Sequence, residues 1–410
     1  MENIFVSYDH AIIREQDKVF EPISTANLNT PNKNTTFKIQ EEDSFLNVKK
    51  ATFEISGQVL QADGTSYPKG SNVILVDNFP GFLFESISVK KHGKELDRID
   101  NVGRASLIKG TISYSADLSG PTINCGFQST FSGGGNFSAI GNLSNLCLGF
   151  FKDIEYPVYR GGFEINFVRN TDDDALFRDK NDKTEVVPGT GKIVIEELLI
   201  SIPIVTYKDA YKFKLINDLV LSSKRNEYTF RFKSWQCIEE SNITGKTLHK
   251  DITNMYTNIH NPLFAIVAFQ TGRLNNQLTD PIEFSNCNLK NIWLDIGGMR
   301  YPERLLDLDF KKGKFNRAYR MLMSYKNVYN RVHRDLSLMY ITPEQFKNTR
   351  PFFVIDISRQ PSQISGSKSS IILHADFNEN VPANTNCYVC LVSGTEFFYD
   401  LTNNTIRENI

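Results

Sequence analysis

The sequence predicts an all-β chain of two tandem eight-stranded β-sandwiches, with a few short helices confined to loops. Three observations carry this expectation. In Leu83-Phe84-Glu85-Ser86-Ile87-Ser88-Val89-Lys90-Lys91-His92-Gly93, Ile87 and Val89 alternate with Ser86, Ser88 and Lys90 before His92-Gly93 supplies a turn. Period-two alternation ending at glycine is the mark of a half-buried strand entering a hairpin. The same pattern returns in Leu289–Arg300, where Ile292 stands for Ile87, Leu294 for Val89 and Gly298 for Gly93, a shift of 292 − 87 = 205 in a chain of 410. A second landmark, Phe163, Ile165 and Phe167 alternating with Glu164 and Asn166, returns as Ile371, Leu373 and Ala375 at 371 − 163 = 208. Each copy then closes on an apolar strand, Lys192 to Tyr207 in the first and Tyr388 to Val392 in the second.

Taken in order, residues 1–33 are polar and rich in Asn, Thr and Pro, which reads as an N-terminal arm, either a disordered leader or a segment docking on a neighbouring subunit. The first sandwich is expected over 34–207. Thr36–Gln40 and Asn47–Leu60 alternate as strands, Ala62-Asp63-Gly64-Thr65 turns, and Ala105–Ile112 has helical spacing. Ser113–Asn142, with Ser-Gly-Pro, Gly133-Gly134-Gly135 and scattered Phe residues, shows no sustained period. It reads as a long loop projecting from one end of the sandwich and tolerant of shortening. The second sandwich is expected over 208–410. It opens with a weak helical pattern at Lys208–Lys224, and Tyr228–Phe232 and Leu263–Phe269 are strands. Lys314–Tyr329 is the clearest helix: Phe315, Ala318, Tyr319, Leu322 and Tyr325 form an apolar stripe opposite Arg317, Arg320 and Lys326.

Composition narrows the function. The 30 Phe and 16 Tyr suit pleated, half-buried sheet surfaces, and a net charge of −1 rules out a polycation that neutralises nucleic acid by overall charge. Met1 to His10 lacks the basic and apolar regions of a signal peptide, and no eighteen-residue window is apolar enough to span a membrane. With no secretory signal, Cys125, Cys147, Cys237, Cys287, Cys387 and Cys390 are expected to be structural thiols. Cys387-x-x-Cys390 sits on a strand that sends the two side chains to opposite faces. The sequons at Asn34, Asn136, Asn142, Asn242 and Asn403 are expected to be coincidental in so Asn-rich a chain.

The search for catalytic chemistry is empty. His10, His92, His249, His260, His333 and His374 have no metal-ligand spacing, His92 being a turn residue and His374 an outward strand residue. Asp172-Asp173-Asp174 lacks the alternation of a calcium loop and reads as a solvated acidic loop. The glycine triplet lacks the Lys and the helix of a phosphate loop. No cofactor, metal or catalytic residue is expected. One segment is chemically biased: Arg317, Arg320 and Lys326, with the flanking Lys311, Lys312, Lys314, Arg331 and Arg334, interleave with Tyr319, Tyr325 and Tyr329. Such a stripe is either nucleic-acid-facing or a solvated basic side that opposes acidic loops elsewhere in the molecule or in its neighbours. We assign it to subunit contact and expect no specific nucleic-acid binding.

Two tandem sandwiches without a catalytic set suggest tandem jelly rolls. Asn78 to Val89 followed by Gly93-Lys94, Tyr156 to Asn170 with Tyr159-Arg160-Gly161-Gly162, Pro351 to Gln360, and Ile371 to Asp400 containing Cys390-Leu391-Val392-Ser393 together resemble, in order, the strands of double jelly-roll major capsid proteins of double-stranded DNA viruses, the adenovirus hexon lineage. The chain looks most similar to the small polinton and adintovirus type. The resemblance implies a non-enzymatic homotrimer, a pseudo-hexagonal block that tiles an icosahedral shell around a double-stranded DNA genome within the virion. Neighbouring capsomers, penton and minor capsid proteins are the implied partners, and the sequence leaves an inner membrane open. The alternative class is a soluble carbohydrate- or ligand-binding β-sandwich or a glycoside hydrolase, whose paired carboxylates are a matter of spatial placement.

Overall fold

A computed structural model describes residues 9–409 apart from 42–43, 69, 114–118, 130, 161, 172–173, 179–189, 223–226, 254–261, 331–340, 360–369 and 401–402. The first unit contains eight main strands: β1 (Ile12–Phe20), β2 (Asn34–Ile39), β3 (Thr52–Leu60), β4 (Phe84–Lys91), β5 (Lys94–Asp100), β6 (Gly135–Asn142), β7 (Phe163–Arg169) and β8 (Lys192–Tyr207). The second contains β9 (Glu227–Ile243), β10 (Thr247–Asp251), β11 (Pro262–Thr271), β12 (Leu289–Ile296), β13 (Met299–Tyr301), β14 (Phe353–Asp356), β15 (Ile371–Phe377) and β16 (Thr385–Asp400). Helices α1 (Val102–Ser113), α2 (Phe150–Asp153), α3 (Asp209–Ser222), α4 (Asn316–Asn330) and α5 (Pro343–Asn348) lie between strands.

Both units follow one plan. The first has an antiparallel sheet β1-β8-β3-β6 and a second sheet β2-β7-β4-β5; the second unit repeats these as β9-β16-β11-β14 and β10-β15-β12-β13. Each strand of the first roll thus has its counterpart eight labels later, in the strand order of a jelly roll. The duplication reaches individual pairs. Val89 and Ile87 of β4 face Ile165 and Phe167 of β7, and Leu294 and Ile292 of β12 face Leu373 and Ala375 of β15. The hairpin turns match as well. His92-Gly93 and Gly297-Gly298 all have positive φ, the two-residue turn whose twist suits a hairpin.

Three segments differ from the sequence expectation. Ile12–Phe20, expected within an irregular arm, is a nine-residue strand running antiparallel to the end of β8. Seven of its nine residues are exposed, so no buried face imposed an alternation on its sequence. The expected projecting loop Ser113–Asn142 instead supplies β6, and its Phe127, Phe137 and Ala139 are buried in the core. The inward period of β6 is Phe137, Ala139, Gly141; small residues concealed it. A Cβ on Gly141 would stand 2.6 Å from that of Cys125, so the close packing demands glycine there. Shortening this stretch is therefore expected to damage the sandwich. Lastly, β4 is buried on both faces, Ser86 and Ser88 included, with α1 packed against it.

Helix α1 is buried along nearly its whole length. Gly103 and Gly110 leave room for the rings of Phe82 and Phe127, which would lie 2.3 and 2.2 Å from added Cβ atoms. The hydroxyls of Ser106 and Thr111 donate back to the Val102 and Leu107 carbonyls, satisfying themselves without water. The helix expected at Lys314–Tyr329 is α4, and its stripe is in place: Ala318, Leu322 and Tyr325 are buried, and Tyr325 meets Phe264 edge-on at 4.9 Å. All six cysteines are free and buried. Cys390 faces Cys237 across the β9–β16 pair with Sγ atoms 3.0 Å apart.

Candidate functional site: the seam between the two rolls

The chemically densest region is the contact between the rolls, where α1, α2 and β5 of the first meet β9 of the second. Its centre is Arg104 on α1. The guanidinium forks onto Asp174, Nη1 to Oδ2 at 3.1 Å and Nη2 to Oδ1 at 3.2 Å, while Nε donates to Gln270 Oε1 of β11 at 3.2 Å. Its flat face lies 4.9 Å from the Tyr388 ring of β16. Burial opposes the charge on Arg104, but the facing Asp174 more than compensates and raises its pKa. Burial likewise pushes the Asp174 carboxyl up, and Arg104 and Arg273 hold it below the ordinary value. Asp174, expected in a solvated acidic loop, is thus a buried ion-pair partner; Asp172 and Asp173 lie outside the described residues.

A second anchor is Asp97 of β5. Its Oδ1 accepts from the Ser234 hydroxyl of β9 at 2.7 Å and its Oδ2 from the Phe150 N–H of α2 at 3.0 Å, so one carboxyl ties three elements. Beside it, the Lys233 N–H donates to Asp153 Oδ2 at 2.8 Å, and Gly149 passes directly under the Lys233 carbonyl. A third anchor is Lys91 at the end of β4. Its Nζ donates to the Arg160 carbonyl at 2.5 Å and sits 4.7 Å from the Phe163 ring and 4.5 Å from the Tyr399 ring of β16. His92, placed in a turn by sequence, also reaches across: its ring stacks on Tyr399, with Nε2 3.3 Å from the hydroxyl.

These groups make the seam sensitive to pH. Burial pushes the Asp97 carboxyl up to about 6 against the lowering effect of its hydrogen bonds. The folded chain then holds this proton more tightly than the unfolded one. The contribution of Asp97 is complete below its ordinary value of 3.8 and is lost as pH rises through about 6. At about 1.4 kcal/mol per unit, the loss is about 3 kcal/mol. Asp97→Asn keeps one oxygen, to accept from the Phe150 N–H, turns its amide NH2 towards the Ser234 hydroxyl, which can accept, and cannot ionise. Its stability relative to the parent, measured by urea unfolding, is expected to rise by about 3 kcal/mol between about pH 4 and 7; a flat difference refutes the assignment. Lys91 titrates with the opposite sign. Burial pulls its ammonium down to about 7, so its contribution is complete above the ordinary lysine value and lost as pH falls towards 7.

The basic residues singled out from sequence lie elsewhere. Arg317 and Arg320 are on the exposed side of α4, where Arg317 Nη1 donates to the Leu305 and Leu306 carbonyls at 3.2 and 3.3 Å. Lys326 is on the same helix, but its side chain, like Arg331 and Arg334, lies outside the described residues. A groove of about 420 Å³ runs beside them, walled by Leu305, Met321 and Phe264 and rimmed by Arg304, Arg317 and Arg320. His249 and His374 come together on the second roll with Nδ1 atoms 3.1 Å apart, and Trp293 stacks on His374. Among the described residues no group of three or more His, Cys, Asp or Glu is placed to hold a metal ion, and no helix is long and apolar enough to cross a membrane. Sequence reading missed Arg104, Asp97 and Lys91. The available signal was a charge breaking an apolar pattern, as Arg104 does between Val102 and Ala105.

Two jelly rolls in tandem, joined by a buried polar seam, define the class of double jelly-roll proteins. Residues 73–395 match the double jelly roll-like domain, and the chain belongs to that family. No curated protein matches the sequence. Among solved structures, the fold is similar to the Sputnik virophage structure determined by cryo-EM, at 9% identity over 98% of this chain and 89% of that chain, with a TM-score of 0.56. It is similar to the quasi-atomic PBCV-1 virus capsid at 8% identity over 97% and 96%, TM-score 0.58. The mavirus major capsid protein shares 11% identity over 96% and 90%, TM-score 0.51. The chain therefore has the all-β, double jelly-roll fold found in major capsid proteins of large DNA viruses and virophages.

Proposed function

We propose that this chain is a major capsid protein whose homotrimers form pseudo-hexagonal tiles of an icosahedral shell around a double-stranded DNA genome. The observation that carries the reading is the seam: two copies of one sandwich are joined into a single block by buried hydrogen bonds from Arg104 to Gln270, from Ser234 to Asp97 and from Arg273 to the Asp174 carbonyl. A shell needs units of fixed internal angle, and three such blocks around a threefold axis present six similar rolls. The family membership and the capsid structures that share the fold support the same reading. The protein works in the virion by assembly and not by catalysis. Its partners are neighbouring capsomers together with penton and minor capsid proteins. Within the lineage we assign it to the small polinton and adintovirus type, as the sequence resemblance implies.

Size-exclusion chromatography with light scattering tests this. The expected species has three times the chain mass of 46.7 kDa, and electron microscopy of concentrated material is expected to show hexagonal blocks or shells. A monomer at all concentrations overturns the reading. Arg317, Arg320 and Lys326 are assigned to contact between subunits or capsomers; a salt-sensitive DNA affinity that vanishes when all three become Gln, with assembly intact, overturns that assignment.

A further inference from the structure

Strand register sets a pair of imidazoles on the outer face of the second roll. Strand β15 sends Ile371, Leu373, Ala375 and Phe377 into the core, which leaves Ile372, His374 and Asp376 on the outer face. His249 of β10 stands directly opposite His374 on one side, and Trp293 of β12 stands opposite it on the other. The three rings form one row across three strands. The two Nδ1 atoms are 3.1 Å apart. The His374 ring lies on the Trp293 indole, with centroids 4.8 Å apart and planes within 4° of parallel, and the Arg300 guanidinium sits 4.1 Å from the same indole. The stack holds His374 with Nδ1 turned to its neighbour, and His249 is exposed, so the pair is open to solvent.

We propose that His249 and His374 chelate a divalent transition-metal cation of the zinc, nickel or copper class through their Nδ1 atoms, with water completing the shell. Two zinc–nitrogen bonds of about 2.0–2.1 Å at a tetrahedral angle place the nitrogens about 3.3 Å apart. The observed 3.1 Å is close enough that the rings close on an ion with little movement. In the metal-free pair one Nδ1–H donates to the other Nδ1. Binding transfers that proton to Nε2 of the same ring, a change of tautomer without a change of charge, and both Nδ1 lone pairs then meet the ion. Imidazole nitrogen suits these ions and not calcium or magnesium, which take oxygen ligands. The surroundings favour a cation: Asp295 and Asp376 lie close enough to act on His374, and Asp251 lies close to His249, with Arg300 opposing them. Two protein ligands make an exchangeable site, unlike a structural zinc centre with four. No sequence spacing announces it, because 125 residues separate the ligands and only the register joins them. Among the described residues β10 pairs with β15 alone, so the ion ties an edge strand to its sheet.

Isothermal titration of the full-length protein with zinc chloride tests the proposal, together with melting curves taken with and without the ion. The parent is expected to take up one zinc per chain and to melt a few degrees higher in its presence, since an ion that binds only the folded chain stabilises it. Magnesium chloride is expected to do neither. His249→Asn and His374→Asn are each expected to weaken zinc binding by at least about tenfold, the cost of losing even a supporting group around a metal. Each is also expected to abolish the zinc-dependent rise in melting temperature. His10→Asn, which removes an exposed imidazole elsewhere, is expected to change neither readout. Each variant is compared with itself with and without zinc, so a change in its own stability does not mask the result, and the exposed His249 is the substitution that leaves the fold intact. A parent that takes up no zinc, or uptake that survives both substitutions, overturns the proposal. So does uptake that falls by half in each variant, which would show two separate imidazoles and no chelate. None of these outcomes bears on whether the protein forms trimers.

Discussion

Asp174→Ala is expected to cost about 3–5 kcal/mol, because it strands the Arg104 guanidinium in the seam without its counter-charge. Arg104 is buried, and both of its terminal nitrogens donate to this one carboxylate. Water cannot replace the lost partner without opening the contact between rolls. Replacing the pair together, Arg104→Met with Asp174→Leu, is expected to cost less. It removes the Arg104 charge together with its partner, while the buried Arg273 loses the nearby carboxylate and the Gln270 Oε1 and Asn170 amide each lose a hydrogen bond, a residual loss of about 1–3 kcal/mol. Guanidinium unfolding of Arg104→Met, Asp174→Leu and the double variant measures the coupling. A single-variant loss below about 1 kcal/mol means that the pair is solvated and the seam is not closed around it.

Gly149→Val is expected to be as damaging by a steric route. A Cβ at this position would lie 1.9 Å from the Lys233 carbonyl oxygen and 2.7 Å from its carbon. That carbonyl belongs to the backbone of β9, held by the ladder to β16 and by the Asp153 hydrogen bond on the same residue's N–H. Nothing there can swing aside as a side-chain tip can, so the two rolls must separate locally. The expected loss is on the order of 3–5 kcal/mol, in the tail of single-substitution effects. Gly162→Ala is the control, since a Cβ there meets nothing within 4 Å, and a change within about 0.5 kcal/mol is expected. Similar losses in both variants would show that backbone freedom, and not the close approach, governs Gly149.

The duplication was legible in sequence because its landmarks are central strands with one face fixed by the core. Ile87, Val89, Ile292 and Leu294 have no freedom to change class without exposing the interior, and the glycines of their hairpins hold positive φ. The amphipathic helix α4 was legible for the same reason. Strand β1 was not, since its side chains face solvent in the single chain and no period was imposed. Strand β6 was hidden by Ala139 and Gly141, which pack inward without looking apolar. The seam was the least legible. Asp97 and Ser234 are 137 residues apart and Arg104 and Asp174 are 70 apart, and nothing local marks two charges as future partners. The basic face of α4 was visible as charge, but the groove beside it was not, because Phe264, Leu305 and Val354 come to it from separate parts of the chain.

The pairing of β1 with β8 has a consequence in time. Phe20 lies opposite Ile200, 200 − 20 = 180 residues later, so the strand synthesised first waits longest for its neighbour. At a synthesis rate of roughly 5–20 residues per second, that wait is about 10–40 s, during which β1 is a nascent edge with an unsatisfied backbone. A strand of alternating valines in that position would invite pairing with other emerging chains. Arg14-Glu15-Gln16-Asp17-Lys18 in its middle makes such pairing unfavourable, both signs of charge being packed into five consecutive residues. The composition that made β1 look like an unstructured leader thus keeps a long-delayed strand single until its own chain can claim it.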